Sequence, residues 1–192
     1  MPAANQAALE FLLTRRSRPA KTLTTPVPDR ADLATLLTAA ARTPDHGKLE
    51  PWRFIVLQGA ALPRLAALVN SRAAALNIDA AQIPKAHAAF ADAGLIVAVI
   101  SAPVISAKVP AIEQTYSAGA VCLSLLNAAL AAGWGANWLS GWASHDRGFN
   151  ETGLGLAPHE SVAGFIHIGT QTNPPPERPR PDLDTKVTWI DT

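Results

Sequence analysis

The segment from Tyr116 to Ala132 is the strongest constraint on how this chain can fold. Small and apolar residues fill it almost completely, so a helix built from it has nearly no polar face. Such a helix is stable only when it is covered on all sides. We therefore expect it in a core or in an interface between subunits, and we expect Cys122 within it to be a buried structural thiol rather than a reactive one.

Helix-like and strand-like segments alternate along the rest of the chain. Apolar residues recur at helical spacing in segments 7–14, 29–41, 61–76, 85–91 and 146–154. Short apolar runs at 54–57, 95–101, 136–142 and 162–169 are typical of strands covered on both faces, which predicts a central sheet position for 54–57. The proline-rich segment 173–181 predicts an extended arm, and 187–190 beyond it could pair with a sheet edge. A single mixed helix-and-strand domain over residues 1–192 follows.

A stiff, charged loop connects the second helix to the first long strand. Between Arg42 and Trp52 it contains two prolines, one glycine, one histidine and four charged residues. Binding residues concentrate in loops that rigid elements hold in place. His46 is the candidate ligand or acid in this loop, and Arg42 precedes it at the end of the helix.

Charge and composition exclude several classes of protein. The formal net charge of +1 and the absence of a basic stripe argue against binding to nucleic acid. The longest apolar run, from Gly94 to Ile105, is shorter than a membrane-spanning helix and contains Ser101 and Pro103. No secretory signal is recognisable at the N-terminus, so we expect a soluble, cytoplasmic protein. The five histidines lack metal-ligand spacing, which predicts no metal site.

Two polar clusters stand out from the scaffold. Arg15, Arg16, Ser17 and Arg18 end the first helix, where they are either a solvated helix terminus or a clamp for an anion such as phosphate. The turn from Trp138 to Trp142 carries tryptophans and a serine, and it is either part of the core or a flat contact surface. No phosphate-loop, dinucleotide, zinc-protease or serine-hydrolase motif is present. These clusters suit a flat, phosphate-bearing cofactor that performs the chemistry itself.

A series of motifs between about residues 8 and 190 resembles the nitroreductase family of flavin oxidoreductases, and within it the small YdjA-like NAD(P)H nitroreductases. The resemblance implies an α+β fold with a central mixed sheet flanked by helices, and an intertwined homodimer with FMN bound non-covalently at the interface. The matching residues are Arg15-Arg16-Ser17, Ala41-Arg42, Pro44-Asp45-His46, Pro51-Trp52, Lys108-Val109-Pro110, Glu113-Gln114, Ser117-Ala118-Gly119, Trp138, Ser140-Gly141, Val162 to Phe165 and Gly169-Thr170.

The resemblance also implies roles for particular residues. Arg15, Arg16 and Ser17 would contact the FMN phosphate, ribityl chain and pyrimidine edge, and Arg42 and His46 would approach the FMN of the other subunit. Trp138, Leu139 and Ser140 would line the ring, and a backbone N–H of Gly141 or Trp142 could face flavin N5.

The implied activity is a ping-pong transfer of hydride from NADH or NADPH through flavin N5 to an electron-poor acceptor, such as a nitroaromatic or a quinone. An alternative is an FMN carrier or redox-responsive module without nicotinamide-driven turnover, and a third possibility is a structural protein without flavin. Two departures from the family pattern bear on the choice. Glu50 stands where glutamine is common, and Leu139 stands where this branch can carry arginine.

Overall fold

A five-stranded sheet lies between two layers of helices in the computed structural model, which describes residues 3–192. The strands are β1 (Leu23–Thr24), β2 (Trp52–Gln58), β3 (Leu95–Ser101), β4 (Gly135–Leu139) and β5 (Ser161–Gln171). The helices are α1 (Gln6–Thr14), α2 (Arg30–Ala40), α3 (Ala61–Leu76), α4 (Ile83–Ala91), α5 (Ala111–Ala131), α6 (Trp142–His145) and α7 (Arg147–Leu154). Short 3-10 turns occupy Ala20–Thr22, His46–Lys48 and Leu183–Thr185.

Strand β5 organises the sheet because it pairs with β1, β3 and β4, while β2 pairs with β3. Every pairing among residues 3–192 is antiparallel, so the mixed sheet that the resemblance implied is not found within one chain. The reason is visible between β2 and β3. Helices α3 and α4 connect the end of β2 to the start of β3, and both of these lie at the same end of the sheet. Strand β3 therefore runs antiparallel to β2.

The two faces of the sheet carry separate cores because side chains alternate along each strand. Val97, Val99 and Ile166 pack on one face against α2 and α5. Ile96, Ala98 and Phe165 pack on the other face against α3, α4 and α7. The chain is thus an α+β molecule with one helical layer on each face, as predicted.

Strand β2 lies at the edge of the sheet, and the prediction of a central position for 54–57 is wrong. Its only partner strand among the described residues is β3. Phe54 packs toward one core and Ile55 toward the other, so each face is partly covered, but Val56 is 39% exposed. The continuous apolar run at 54–57 therefore did not indicate how many strands pair with β2.

Helix α5 begins at Ala111, five residues earlier than the apolar pattern indicated. Pro110 precedes its first residue and Glu113 lies in its first turn, both of which favour a helix start. One side of α5 packs on the sheet through Ala118, Val121, Cys122, Leu125 and Ala129. Burial raises the pKa of the Cys122 thiol to about 12, which confirms the structural reading of this cysteine.

The C-terminal arm follows β5 as an extended segment, in agreement with its proline content. Residues 187–190 form no strand here, and the side chains of Trp189 and Ile190 are more than four-fifths exposed at 83% and 82%. The expected pairing of this segment with a sheet edge is therefore not made within the described chain.

Candidate functional site

The arginine cluster lies where α1 ends and the chain becomes extended at Arg15. Arg15 Nη2 donates a hydrogen bond to Ser17 Oγ at 3.0 Å, so these two residues are in direct contact. The Nε atoms of Arg15 and Arg16 are buried, and neither has a hydrogen-bond partner within residues 3–192. Buried donors without partners are rare in proteins and point to a missing acceptor.

The C-terminal arm supplies two further charges to this cluster. Arg16 Nη2 donates to the carbonyl of Pro176 at 3.0 Å, and Arg16 Nη1 lies 3.7 Å from Glu177 Oε1. Arg180 contacts the same Glu177 oxygen at 2.9 Å. Burial, together with the positive charges of Arg180 and Arg16, lowers the pKa of Arg15. The cluster is therefore an electropositive site in which a carboxylate already lies between two arginines.

Arg180 and Glu177 were not among the residues predicted from the sequence. Their segment carries alternating charges between prolines, which indicated only an extended arm. The contact with Arg16 spans 160 positions, and no local pattern reports such a separation.

Two hydrogen bonds attach the arginine segment to strand β4. The N–H of Arg18 donates to Ala136 O at 2.8 Å, and Asn137 Nδ2 donates to Arg18 O at 2.7 Å. The structure thereby brings Arg15–Ser17 alongside the strand that continues into Trp138, Leu139 and Ser140.

Trp138 and Leu139 project from opposite faces of the sheet, as neighbours in a strand must. Leu139 and Ser140 line a cavity of about 880 Å³ between α4 and the sheet. Trp138 is absent from its lining and packs against Gly164, where the indole leaves no room for a Cβ. The strand thus places Trp138 and Leu139 on opposite faces of the sheet, and the contact of all three residues with one ring stays a prediction.

Gly141 and Trp142 continue the wall of this cavity. The Gly141 N–H donates to Ser144 Oγ at 3.1 Å and so caps the short helix α6. Of the two backbone N–H groups considered for a ligand contact, that of Gly141 is thus already committed, which leaves Trp142.

The same cavity contains polar residues that sequence reasoning did not assign to a site. They are Lys21, Gln82, Lys85, Asp92, Asn137, Ser144 and His167. His167 is 4% exposed, and desolvation by burial lowers its pKa to about 4, so the imidazole is neutral at physiological pH. It lies within the buried strand β5 and also lines the cavity, a position that its sequence neighbours do not indicate.

The loop between α2 and β2 is anchored to α5. Trp52 Nε1 donates to Ser117 Oγ at 3.1 Å, and Ser117 Oγ donates to the carbonyl of Pro44 at 3.0 Å. Lys48 and Glu50 adopt left-handed backbone conformations, with φ of 56° and 49°. Such conformations are uncommon for residues other than glycine and are maintained by their surroundings.

His46 lies at the tip of this loop beside α5. Its Nδ1 is 2.6 Å from Glu113 Oε2, and both residues line a shallow cavity of about 450 Å³ with Asp45 and Tyr116. This contact orients the imidazole so that Nε2 points away from the Glu113 carboxyl group. Arg42, at the start of the loop, is exposed.

The structure does not join the two groups of predicted residues within one chain. Among residues 3–192, no hydrogen bond or ion pair links Arg42 or His46 to Arg15, Arg16 or Ser17. The cavities beside the two groups share no lining residue. Within one chain the two groups of predicted residues therefore lie apart.

None of the helices described combines the length and apolar composition needed to cross a bilayer.

Comparisons with known proteins agree with this geometry. The model of the nitroreductase family matches residues 12–170. A relative from Escherichia coli strain K12, named "Putative NAD(P)H nitroreductase YdjA", is 36% identical over 163 residues, which span 85% of this chain and 87% of the relative.

Solved structures share the fold at lower identity. A nitroreductase-like protein from Bacillus cereus superposes with a TM-score of 0.81 at 22% identity, covering all of both chains. A nitroreductase from Desulfovibrio desulfuricans, solved in complex with FMN, gives a TM-score of 0.75 at 20% identity over 97% of this chain and 99% of that one. From the extent of the family match and the identity to its relative, this chain belongs to the nitroreductase family.

Proposed function

We propose that this protein is an FMN-dependent oxidoreductase that passes hydride from NADH or NADPH to an electron-poor acceptor. The observation that carries the proposal is the pair of buried, unpartnered Nε donors of Arg15 and Arg16 next to the Ser17 hydroxyl. Guanidinium groups bind phosphate oxygens through parallel hydrogen bonds, and a hydroxyl adds another donor. Membership of an enzyme family and a fold shared with an FMN complex support the same reading.

The arginine cluster fits the phosphate of FMN in charge as well as in donors. Glu177 shows that an anionic oxygen is accommodated between Arg16 and Arg180. A phosphate carries more charge and more acceptor atoms than a carboxylate, so it can satisfy donors that Glu177 leaves unpaired. Arg15, Arg16, Ser17 and Arg180 would together hold the phosphate and ribityl end.

Leu139, Ser140 and the N–H of Trp142 would contact the ring, because strand β4 carries them away from the arginine cluster along one wall of the cavity. The chemistry supplied by bound FMN is hydride transfer between nicotinamide and a nitroaromatic or quinone acceptor by way of flavin N5. The chain's own task is to fix the ring in place.

A homodimer would complete the site. Ile112, Tyr116 and Leu123 form a stripe on α5 that is 53%, 67% and 45% exposed in a single chain. An apolar stripe of this kind requires a partner surface. A second copy placed on α5 would also bring the adjacent loop, with Arg42 and His46, toward the arginine cluster of its partner.

The absorption spectrum of the purified, full-length protein tests the cofactor, and anaerobic addition of NADH or NADPH tests the activity. We expect a yellow protein whose flavin absorbance bleaches on reduction and recovers with a quinone. A yellow protein that no nicotinamide reduces would instead support the FMN carrier, and a colourless protein that takes up no FMN would contradict both.

A matched pair of variants tests the phosphate contact. Arg15→Ala should weaken FMN binding at least about tenfold, since a charged hydrogen bond contributes about 1.5–3 kcal/mol. Arg30→Ala, which removes an exposed arginine at the start of α2, should leave the Kd for FMN unchanged. If both variants bind FMN with the same affinity, the arginine cluster is not part of the FMN site.

A further inference from the structure

The cavity between α4 and the sheet is larger than a contact with one edge of a ligand requires. Its volume is about 880 Å³, within the range of small-molecule sites. One wall is the alanine-rich face of α4, which includes Ala86, Ala88 and Ala89, and the opposite wall is formed by β4 and β5. Small side chains on α4 leave a flat, apolar space next to polar groups of the sheet.

His167 is a buried residue on the sheet wall whose ring has no hydrogen-bond partner among residues 3–192. It is 4% exposed, and no hydrogen bond to its ring is found among the residues that the structure describes. Burial lowers its pKa to about 4, and a neutral imidazole carries one N–H donor and one acceptor nitrogen. No basic or acidic side chain holds this ring, so it is available to a ligand.

Asn137 lies directly opposite His167 in the register of β4 and β5. Side chains in this relation are about 5 Å apart at Cβ and share one face of the sheet. The amide Nδ2 of Asn137 donates to Arg18 O at 2.7 Å. Because a carbonyl can only accept, this bond fixes the orientation of the amide and leaves Oδ1 as an acceptor beside the imidazole.

The two residues together therefore present an acceptor and a donor side by side. We propose that Asn137 and His167 bind the amide-type edge, –C(=O)–NH–, of a planar ring that occupies this cavity. The carbonyl of such an edge accepts from the His167 N–H, and its N–H donates to Asn137 Oδ1. The apolar wall of α4 covers the face of the ring.

Two molecules of the proposed reaction carry this edge: the pyrimidine end of the flavin and the carboxamide of nicotinamide. The inference rests on the proposed function for the choice of these probes, while the recognition itself depends only on Asn137 and His167. Their separate addition to the protein distinguishes the two sources.

Ring signals of ¹⁵N-labelled histidine in the full-length protein provide the test. The His167 signal is assigned by its loss in His167→Gln, and His159→Gln, at an exposed position, is the matched control. A shift of the His167 signal on addition of FMN identifies the flavin edge. A shift with free nicotinamide and not with FMN identifies the carboxamide. If neither probe moves the signal, the proposal is overturned.

FMN binding is measured separately by flavin fluorescence, so that failure of the proposed function can be distinguished from failure of the Asn137 and His167 inference. A protein that binds no FMN but whose His167 signal responds to nicotinamide would contradict the flavin site and retain the inference. As a second measurement, Asn137→Leu should lower by about tenfold the affinity for the probe that shifts the His167 signal. Unchanged affinity in Asn137→Leu would exclude Asn137 from recognition even if the variant is less stable.

Discussion

Individual residues with buried, unsatisfied polar atoms are the most informative features of this molecule. Each such atom costs about 1–3 kcal/mol when it is left without a hydrogen bond. Arg15 and Arg16 carry such groups, and both lie in the segment that Arg18 attaches to β4. A fold can tolerate several buried donors without hydrogen bonds where a bound ligand supplies the acceptors. These donors therefore locate the candidate site even when no ligand is bound.

The buried, neutral His167 predicts a specific dependence of stability on pH. Its pKa is about 4 in the folded chain and about 6.5 when exposed, so between these values the unfolded chain binds the additional proton. Stability is therefore lost as the pH falls from 6.5 to 4, by up to about 3 kcal/mol from this group alone.

Urea unfolding of the wild type and His167→Gln at pH 7.5 and 4.5 measures this effect. The free energy of unfolding should fall more steeply with acidification in the wild type, because the variant lacks the titrating ring. Other carboxylates and histidines contribute equally to both proteins. Parallel pH dependences would show that His167 is protonated as readily in the folded as in the unfolded chain.

At the scale of elements, ion pairs join strands and helices that the sheet alone does not connect. Arg53 on β2 forms two hydrogen bonds, of 2.6 and 2.8 Å, to Glu160 just before β5. Arg72 on α3 makes a similar pair with Asp146 before α7. The first pair connects the edge strand β2 to the start of β5. The second connects α3 to the start of α7.

Arg53→Leu should destabilise the protein by about 2 kcal/mol, because Glu160 is 8% exposed and would lose its cation. The hydrogen bond from Arg53 is the main cause that lowers the pKa of Glu160 to about 2. This carboxylate stabilises the fold above pH 4.5, and that contribution is lost as the pH falls toward 2.

Thermal or urea unfolding at pH 7 and pH 3 checks the Arg53 prediction. The difference in stability between wild type and Arg53→Leu should be smaller at pH 3, where the ion pair contributes less. Arg53→Lys, which retains the charge but not the paired geometry, should recover part of the loss at pH 7. Equal stability of all three proteins would mean that the pair is only a surface contact.

At the scale of the whole molecule, the single chain is incomplete in two respects. Helix α5 leaves an apolar stripe exposed, and the predicted site residues are divided between two separate regions. A second copy resolves both if α5 forms the interface, since the loop with His46 is attached to that helix through Glu113.

Leu123→Asp should convert a dimer into monomers and reduce FMN retention, because a charge in the stripe opposes burial. Light scattering coupled to gel filtration gives the mass, and the flavin-to-protein ratio gives retention. Leu76→Asp, at a residue of similar exposure on α3, is the matched control and should change neither. A wild type with the mass of one chain, or a dimeric Leu123→Asp, would contradict the interface.

Mixed dimers offer a sharper version of the same prediction. If each site combines Arg15 of one chain with Arg42 of the other, a dimer of one Arg15→Ala chain and one Arg42→Ala chain keeps one intact site. Its FMN content should be half that of the wild type. Complete loss in every mixed dimer would place both arginines in a site within one chain.

Local pattern by itself determined most of the elements and part of the site. The continuous apolar run at 95–101 matches β3, and the segment 61–76 matches α3, since burial periodicity acts over a few residues. Asp29 caps α2 by accepting hydrogen bonds from the N–H groups of Ala31 and Asp32, a contact between residues close in the sequence. The adjacent Arg15, Arg16 and Ser17 were recognisable as a polar cluster because they are neighbours in the sequence, but their spacing left a solvated helix terminus and an anion clamp both open.

Tertiary structure alone decided which distant residues meet. The edge position of β2, the contact of Arg16 with Glu177, and the placement of His167 opposite Asn137 depend on strand order and on the path of the C-terminal arm. Side-chain alternation predicts that Trp138 and Leu139 separate, but only the packed helices show that one face holds a cavity and the other Gly164. Local propensities are set by neighbouring residues, whereas these contacts arise from long-range packing, which no short stretch of sequence encodes.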